Sequence, residues 1–458
     1  MSATLIRAGW VLTMGPAGDI EDGAVLVDGS TITGVGRYPE LRRSHPQATV
    51  VGDRRGILTP GFVNTHGHMS EALIPGMGSE LTLYEWGNRI VGPVGEHLTA
   101  EMAEEGTVLK SIEMIRSGVT TVNDMFVHSS PGSLASLGVV AGLERSGLRG
   151  VVSFGAENAL DGPTDMRALT VEEILEEHDG LAAAAERTER VTFRYGIGTL
   201  LGQSDDLLEA GLDLCRQRGW GVHTHLAEVR EELVSASLRW GRRTIDHAEE
   251  IGLLEVPLLA GHAIWVTERD IELLSHRGVG VAHNPVANMI LASGVCPVSR
   301  LRHSGIPVGI GTDGAASNDS QNMLEAVKMA ALLQKVHHTD PAVISATDAL
   351  EMATRGGARA LGLEDRVGSL EEGKEADLAL FGGTVELAAI HDPYQQLVYC
   401  TSPRSVSDVW IAGNRVLSGG ELADLDEGGQ VERCRPLAAK LAAASGLAAR
   451  GVSWLSTT

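Results

Sequence analysis

Histidines and an aspartate stand at the ends of apolar runs, in a spacing suited to metal binding. One run, PGFVNTHGH, ends in His66 and His68. Side chains alternate along a strand, so these two rings would project to the same side and could share a cation. A second pair, His223 and His225, ends another run, and Asp313 ends a third. A ligand set of three histidines and one aspartate would suit Zn²⁺, with Fe²⁺ or Mn²⁺ as alternatives.

Other polar residues have both a chemical and a structural interpretation. Glu228 follows His225 by three residues and is either a general acid and base or a surface acid favoured by the dipole of a helix start. His262 is either a catalytic group or a satisfied core histidine, and His283 would orient a loop or touch substrate. His223 is assigned to the interior. The remaining histidines are expected to be solvated, among them His97, His178 and His276.

Eight β-rich runs in the middle of the chain alternate with segments of helical character, rich in Ala, Leu and Glu. The runs end near His66, Asp124, Ser153, Gly198, His225, His262, His283 and Asp313. This alternation predicts an α/β fold, a closed (β/α)8 barrel of parallel strands. The candidate metal ligands fall at the C-terminal ends of their runs, where barrels of this kind place their chemistry.

The two ends of the chain are predicted to meet in one small β-sandwich beside the barrel. Near the N-terminus, VLVDG and TITGV are β-rich runs joined by an Asp-Gly turn, and a similar pattern recurs in VWIAGNRV. We therefore expect a sandwich domain of residues 1–57 and 365–430 and a barrel domain of residues 58–364. Residues 431–458, rich in Ala and Leu, are expected to form a helical tail.

The composition limits the class of protein and its partners. The chain has 458 residues, of which 43% are hydrophobic, and its formal net charge is −23. This excess of acid disfavours nucleic acid or an anionic membrane as a partner, and no apolar run is long enough to span a bilayer. The four cysteines show no CxxC spacing, which argues against disulfides and thiolate metal sites. Since we see no secretion signal, we expect a cytoplasmic location.

Six stretches, in order along nearly the whole chain, resemble the amidohydrolase superfamily. They read PGFVNTHGH (60–68), EMIRSGVTTVNDM (113–125), HTHLAE (223–228), AGHA (260–263), HNPVANMILASG (283–294) and GIGTDGAASND (309–319). Within the superfamily they are similar to the branch of aromatic aminohydrolases. That branch includes adenosine and S-adenosylhomocysteine deaminases, guanine-type deaminases and s-triazine hydrolases.

The resemblance implies a single divalent metal ion held by His66, His68, His225 and Asp313. It also implies that Glu228 is the proton shuttle and that His262 and Asp313 assist the attacking water. Relatives with two ions bridge them with a carboxylated lysine from the fourth strand. This chain has no lysine between Ser111 and Val327, so the usual bridge is missing and one ion is expected.

The resemblance also addresses the substrate. Trp86 matches a tryptophan that deaminases of this branch place against the substrate ring, so Trp86 and His283 are the candidate substrate-binding residues. Relatives that accept ribosides usually carry an acid nine residues further on, where this chain has Gly95. They also carry Pro-His-Ser after the fourth strand, where residues 195–200 read YGIGTL. Both differences favour a smaller or less polar amino-substituted nitrogen heterocycle, and we predict a hydrolytic deaminase that releases ammonia.

Three alternatives stay open. The leaving group could be halide or an alkylamine from a triazine-like ring, because the chemistry of attack is shared. The substrate could be a nucleoside of the adenosine or S-adenosylhomocysteine type. A metal-free binding protein is the third alternative, although the complete set of ligands argues against it. In each case the partner is a small molecule, and the resemblance implies a homodimer or larger homo-oligomer.

Overall fold

Eight parallel strands at the centre of the molecule correspond to the eight apolar runs. The computed structural model describes residues 3–78, 80–130, 132–159, 162 and 169–447. Within these ranges the strands are Phe62–His68, Val119–Phe126, Arg149–Phe154, Val191–Phe193 with Tyr195–Thr199, Val222–Leu226, Leu258–His262, Gly280–His283, and Val308–Ile310 with Asp313–Gly314. Most of their residues are buried, as expected for parallel strands covered by helices.

The eight strands form two five-stranded parallel sheets that meet at two interrupted strands. The fourth strand is interrupted at Arg194: the residues before it pair with the third strand, and the residues after it pair with the fifth. In the eighth strand, Val308–Ile310 pairs with the seventh strand and Asp313–Gly314 pairs with the first. The sheets are therefore joined at both edges, which confirms the predicted α/β barrel fold.

Helices connect the strands and cover the outside of the barrel. The longer ones are Ala100–Arg116, Leu137–Ser146, Val171–Glu186, Asp205–Arg218, Arg230–Trp240 and Met323–His338. The shorter ones are Thr244–Glu250, Glu268–His276, Pro285–Ile290, Val298–His303, Ala346–Glu351 and Gly357–Leu361. Several begin at capping boxes, for example at Thr170 and Thr267, where side-chain oxygens accept the free N–H groups. In the described part of the chain, no helix is long and apolar enough to cross a membrane.

Four short helical turns separate the first barrel strand from its long helix. They are Met69–Glu71, Leu83–Trp86, Gly87–Val91 and Gly92–Gly95. Because they directly follow the strand that carries two candidate ligands, their side chains lie close to the candidate site. Further short turns lie elsewhere, at Tyr38–Ser44, Leu253–Glu255, Met352–Gly356, Val385–Leu387, Pro393–Gln395, Gln396–Cys400 and Pro403–Ser405.

Strands from both ends of the chain form one nine-stranded sheet beside the barrel. In spatial order they are Glu421–Leu422, Asn414–Ser418, Val406–Ile411, Leu378–Phe381, Ile57–Pro60, Thr4–Leu12, Asp19–Asp28 and Thr31–Arg37, and Thr49–Gly52 also pairs with Thr4–Leu12. Side chains from both chain ends share one hydrophobic cluster, including Ile6, Val25 and Trp410. Since Ile57–Pro60 continues almost directly into the first barrel strand, the sheet is attached to the barrel at this point.

The last described helix, Glu427–Ala444, lies against the barrel helix Ala100–Arg116. Gln430 Nε2 donates to the carbonyl of Glu105 at 2.8 Å. The helix begins before residue 431, where the tail was expected to start, and residues 448–458 of the predicted tail lie outside the described residues. The exact domain boundaries stay a prediction.

Candidate metal centre and active site

The four candidate metal ligands meet at the C-terminal ends of the barrel strands. His66 and His68 come from the first strand, His225 from the fifth and Asp313 from the eighth. Asp313 Oδ1 lies 3.5 Å from His66 Nε2 and 3.1 Å from His68 Nε2. The nitrogens of the three histidines all lie within 4.8 Å of one another. This spacing allows one cation to contact all three rings.

Hydrogen bonds at the Nδ1 atoms set the direction of the ligand nitrogens. Nδ1 of His68 donates to the carbonyl of Met125 at 2.7 Å, and Nδ1 of His225 donates to the carbonyl of Gly198 at 2.6 Å. A neutral imidazole with its proton on Nδ1 has only a lone pair on Nε2. The Nε2 atoms of these two rings lie 3.2 Å apart, and in neutral rings, the form that binds a metal ion, both are acceptors. A metal ion satisfies that arrangement, whereas a hydrogen bond between two acceptors cannot form.

His66 is oriented by another histidine inside the barrel. Its Nδ1 lies 2.7 Å from Nε2 of His223, which leaves Nε2 of His66 directed towards Asp313. His223 also lies within hydrogen-bonding distance of Asn123 and Ser153, so its ring is held on both sides. Burial lowers the pKa of His66 to about 4, which keeps its ring neutral, as metal binding requires.

Asp313 and His262 adopt backbone conformations that residues other than glycine seldom adopt. Their φ angles are 66° and 69°, and strain of this kind tends to occur at functional sites. Asp313 Oδ1 accepts the N–H of Gly314 at 2.9 Å, and Oδ2 lies 3.6 Å from His262 Nε2. Burial alone would raise the pKa of Asp313, but the neighbouring rings of His66, His68 and His262 hold it well below its usual range. The side chain is therefore a carboxylate.

Glu228 and His262 lie next to each other beside the candidate ligands. Glu228 Oε2 lies 3.5 Å from His262 Nε2, and His262 Nδ1 donates to Asn288 Oδ1 at 2.8 Å. Burial, together with the charge of Asp313, raises the pKa of Glu228 to about 7. A carboxyl group with a pKa near neutrality can both donate and accept a proton during one reaction cycle.

Glu232, which is not among the predicted site residues, holds the turn that carries Glu228. Its two carboxylate oxygens accept the N–H groups of Ala227 and Glu228, each at 2.9 Å. Ala227 has a φ of 53°, so this turn needs such support. The sequence signal was the position of Glu232 in the first turn of the helix Arg230–Trp240, where carboxylates accept free N–H groups.

A cavity opens beside these groups at the mouth of the barrel. His68, His225 and Glu228 reach it from the site. Its aromatic and aliphatic wall consists of Leu83, Tyr84, Trp86, Val91 and Val127. Trp86 Nε1 donates to the carbonyl of Ala316 at 2.9 Å, which holds the indole in the wall. A cavity of this kind, with a flat apolar wall and a few polar groups, suits a planar ring.

The structure places the other predicted substrate contact, His283, outside this wall. The side chain is fully buried at the end of the seventh strand and is not among the described residues that line the cavity. Its role therefore stays a prediction. Gly95 packs against His128, and a Cβ at Gly95 would lie only 2.5 Å from His128 Cδ2. A side chain at position 95 would therefore require His128 to shift.

Two buried acids in the cavity, Glu71 and Glu157, are absent from the predicted site. Glu71 lies three residues after His68, and this proximity to a ligand was a signal that could have identified it. Glu157 lies in the loop after the third strand, and no local pattern distinguishes it from a solvated acid. Both residues enter the site because of the way the strand ends converge.

The fold and the site together define a barrel hydrolase with a candidate metal site. The chain belongs to the amidohydrolase family, whose family model matches residues 57–416. Residues 23–48 also match an imidazolonepropionase-like composite domain of bacteria.

Individual relatives are similar over almost the whole chain. The 5-methylthioadenosine/S-adenosylhomocysteine deaminase of Pelotomaculum thermopropionicum is 35% identical, and the match covers 93% of this chain and 96% of that protein. A zinc-bound adenosine deaminase structure from Xanthomonas campestris matches with a TM-score of 0.88 and 31% identity, covering 96% and 98% of the two chains. The zinc complex of atrazine chlorohydrolase from Arthrobacter aurescens also matches with a TM-score of 0.88, covering 95% and 100%, but at 24% identity this likeness concerns the fold alone.

Proposed function

We propose that this protein is a metal-dependent hydrolytic deaminase. It replaces an exocyclic amino group of an aromatic nitrogen heterocycle by oxygen and releases ammonia. The observation that carries the proposal is the convergence of three histidines and Asp313 beside the buried acid Glu228, in a cavity with an aromatic wall. The names of similar proteins, which are adenosine-type deaminases, support this class of reaction.

One divalent ion is part of the proposal, held by His66, His68, His225 and Asp313. Three neutral imidazoles and a carboxylate form a donor set suited to Zn²⁺, with Fe²⁺ or Mn²⁺ as alternatives. The zinc bound in the adenosine deaminase structure from Xanthomonas campestris supports Zn²⁺ as the first choice. A bound ion would supply Lewis-acid activation of the attacking water.

The chain's own residues would carry the protons. The Asp313 carboxylate and the imidazole of His262 would accept the proton of the water. Because Asn288 accepts the Nδ1 proton of His262, the lone pair on Nε2 faces Glu228 and Asp313. Glu228, whose pKa burial raises to about 7, would protonate the ring nitrogen. It would then regain the proton that Asp313 or His262 accepted from the water and transfer it to the amino group, which leaves as ammonia.

A nucleoside deaminase is the second candidate, because adenosine-type nucleosides appear in the names of the relatives. Against it, the position where riboside-accepting relatives usually carry an acid is Gly95 in this chain, and a Cβ there would lie 2.5 Å from His128 Cδ2. Expulsion of halide or an alkylamine from a triazine-like ring is a third candidate, for which the 24% identity supports only the fold. The cytoplasmic location and the homodimer or larger homo-oligomer stay predictions.

Metal quantitation combined with an ammonia-release screen tests the proposal. Purified protein is analysed by inductively coupled plasma mass spectrometry and incubated with amino-substituted purines, pyrimidines, pterins, triazines and adenosine nucleosides. We expect about one zinc ion per chain, ammonia from at least one amino heterocycle, and loss of that activity after chelation. Release of halide or alkylamine without ammonia would support the triazine alternative. Full turnover after rigorous chelation would exclude the metal-dependent mechanism.

A further inference from the structure

The backbone of the eighth barrel strand changes its pairing partner immediately before Asp313. Val308–Ile310 pairs with the seventh strand, and Asp313–Gly314 pairs with the first. Thr312 belongs to neither pairing, although it is fully buried. Because buried peptide groups need hydrogen-bond partners, side chains must hold the backbone at this position.

The side chain of Asn64 in the first strand binds Thr312 through both ends of its amide. Asn64 Oδ1 accepts the N–H of Thr312 at 2.9 Å, and Asn64 Nδ2 donates to Thr312 Oγ1 at 2.7 Å. The same Oδ1 lies 3.4 Å from the backbone nitrogen of His66. One buried amide therefore joins the strand that carries His66 and His68 to the residue before Asp313.

Gln321 continues this connection from Thr312 to Asp313. Thr312 Oγ1 donates to Gln321 Oε1 at 2.6 Å, and Gln321 Nε2 donates to the carbonyl of Asp313 at 2.8 Å. Gln321 is itself buried, and its N–H donates at 2.8 Å to Glu113 of the barrel helix Ala100–Arg116. The Thr312 hydroxyl accepts from one amide and donates to the other, so neither amide can be inverted without loss of these bonds.

We propose that Asn64, Thr312 and Gln321 form an amide clamp, which holds Asp313 in the position for metal binding before a metal ion is bound. This inference rests on the metal-dependent mechanism under the proposed function and adds three positioning residues to it. None of the three is among the described residues that line the cavity, so they would act through Asp313 and not on the substrate.

The backbone conformation of Asp313 explains why a clamp is needed. Its φ angle of 66° is one that persists in residues other than glycine only when the surrounding structure enforces it. The clamp keeps the Asp313 carboxylate 3.5 Å from His66 Nε2 and 3.1 Å from His68 Nε2. Since this geometry exists beforehand, less conformational entropy is lost when a cation binds.

The zinc affinities of variants at Thr312 and Gln321 test the inference. Thr312→Val keeps the shape of the side chain but removes its hydroxyl group, and Gln321→Met keeps the length but removes the amide. In competition with a chelating dye, we expect each variant to bind zinc about 10- to 100-fold more weakly than wild type. Thr312→Ser, which retains the hydroxyl group, should restore the affinity.

Two further measurements separate positioning of Asp313 from a general loss of stability. The visible absorption spectrum of Co²⁺-loaded Thr312→Val should differ from that of wild type, because the Asp313 carboxylate is displaced. The variant that carries both substitutions should lose no more zinc affinity than the more affected single variant, because either change breaks the same chain of hydrogen bonds. Two losses that multiply would overturn the clamp, since the residues would then act separately.

Thr354→Val is the matched control. Thr354 is also fully buried, and its Oγ1 donates to the carbonyl of Leu350 at 2.7 Å. It lies in the turn Met352–Gly356, of which Gly356 packs against Val308 at the start of the eighth strand. This substitution should lower the melting temperature, as the loss of a buried hydrogen bond does, and leave the zinc affinity unchanged.

The possible failures of the two proposals are distinguishable. Wild-type zinc affinity in folded Thr312→Val and Gln321→Met, together with an unchanged cobalt spectrum, would overturn the clamp and leave the deaminase proposal intact. Weaker zinc binding in both variants, with no ammonia released from any compound by wild type, would support the clamp and overturn the deaminase proposal. Circular dichroism checks that each variant is folded.

Discussion

The proton positions on single histidine rings decide whether this site can bind a metal ion. His68 and His225 each donate an Nδ1 proton to a backbone carbonyl, of Met125 and Gly198 respectively. Those carbonyls belong to neighbouring strands of the barrel. The spacing of the histidines in the sequence predicted which rings would meet. It could not predict their tautomers, because the acceptors are distant in the chain.

Glu228→Gln should retain the metal ion and lose most turnover. The amide keeps the shape of the side chain but cannot donate and accept a proton, and general acid–base catalysis of this kind contributes about 10²–10⁴-fold. Steady-state ammonia release and metal analysis of the same preparation check the prediction. Full activity in this variant would remove Glu228 from the mechanism.

Glu71→Gln should stabilise the metal-free protein at neutral and mildly alkaline pH. Burial, with the charge of Asp313, raises the pKa of Glu71 from 4.5 to about 8. Between these values the folded chain holds a proton that the unfolded chain has released, so the stability of wild type falls as pH rises through this window. Glutamine does not titrate, so the stability of the variant should fall less steeply as pH rises. At the alkaline end its melting temperature should be higher than that of wild type by a few degrees.

Thermal unfolding in the presence of a chelator, between about pH 5 and pH 8, measures the effect of Glu71. The difference between the two proteins should be smallest at the acidic end and largest at the alkaline end. If the melting temperatures of the two proteins changed with pH in the same way across this window, the carboxyl group of Glu71 would not keep its proton in the folded protein.

At the scale of structural elements, short turns after the barrel strands position the candidate reacting groups. Ala227, His262 and Asp313 all have positive φ angles and all lie at or just after strand ends. Alanine seldom adopts such a conformation, and histidine and aspartate adopt it only occasionally, so local sequence does not predict these turns. Tertiary hydrogen bonds, such as those from Ala227 and Glu228 to Glu232, hold the first of them.

Glu232→Gln should lower kcat while KM and metal content change little. An amide offers one acceptor oxygen for the two N–H groups that Glu232 now binds, so the turn that carries Glu228 would loosen. We expect a decrease in kcat of about tenfold, which corresponds to 1.4 kcal/mol. Glu231→Gln is the matched control, since Glu231 is the exposed preceding residue. A lower melting temperature with unchanged kcat would assign Glu232 a purely structural role.

In the helix Val171–Glu186, the burial of one histidine was missed because the residue was interpreted without its helical neighbours. His178 was expected to be solvated, and this prediction is wrong. Its ring is buried and stacks on Tyr195 at 3.9 Å, with its nitrogens close to the backbone carbonyls of Ile174 and Gly196. The spacing from Ile174 to His178 is one helical turn, so the periodicity of the helix would have predicted its burial.

At the scale of the whole molecule, a buried ion-pair network joins the barrel to the terminal sheet, the nine-stranded sheet formed by both ends of the chain. Arg149 begins the third barrel strand, and its guanidinium pairs with Asp377 at 3.0 Å and with Glu375. The Arg149 and Asp377 side chains are 2% and 1% exposed. Asp377 immediately precedes the strand Leu378–Phe381 of the terminal sheet, so the two parts of the fold share this charge pair.

Arg149→Met should destabilise the protein by about 3–5 kcal/mol, because the Asp377 charge would remain buried without its partner. Urea denaturation monitored by circular dichroism measures the loss. Arg435→Met is the control, since the Arg435–Glu432 pair is 70% exposed on both sides and should contribute less than about 1 kcal/mol. If both variants lost the same free energy of unfolding, the buried network would contribute no more to stability than an exposed ion pair.

The sequence by itself predicted the barrel, the four candidate ligands and the candidate proton-transferring acid, because these depend on local periodicity and on short motifs at strand ends. Only the tertiary structure decided which other acids share the site. Glu71 reaches its partner Ala316 across 245 positions of the chain, and Glu157 meets Thr199 across 42. Such contacts depend on how the strand ends close around the cavity, and a contact between distant residues leaves no periodic signal in a single sequence.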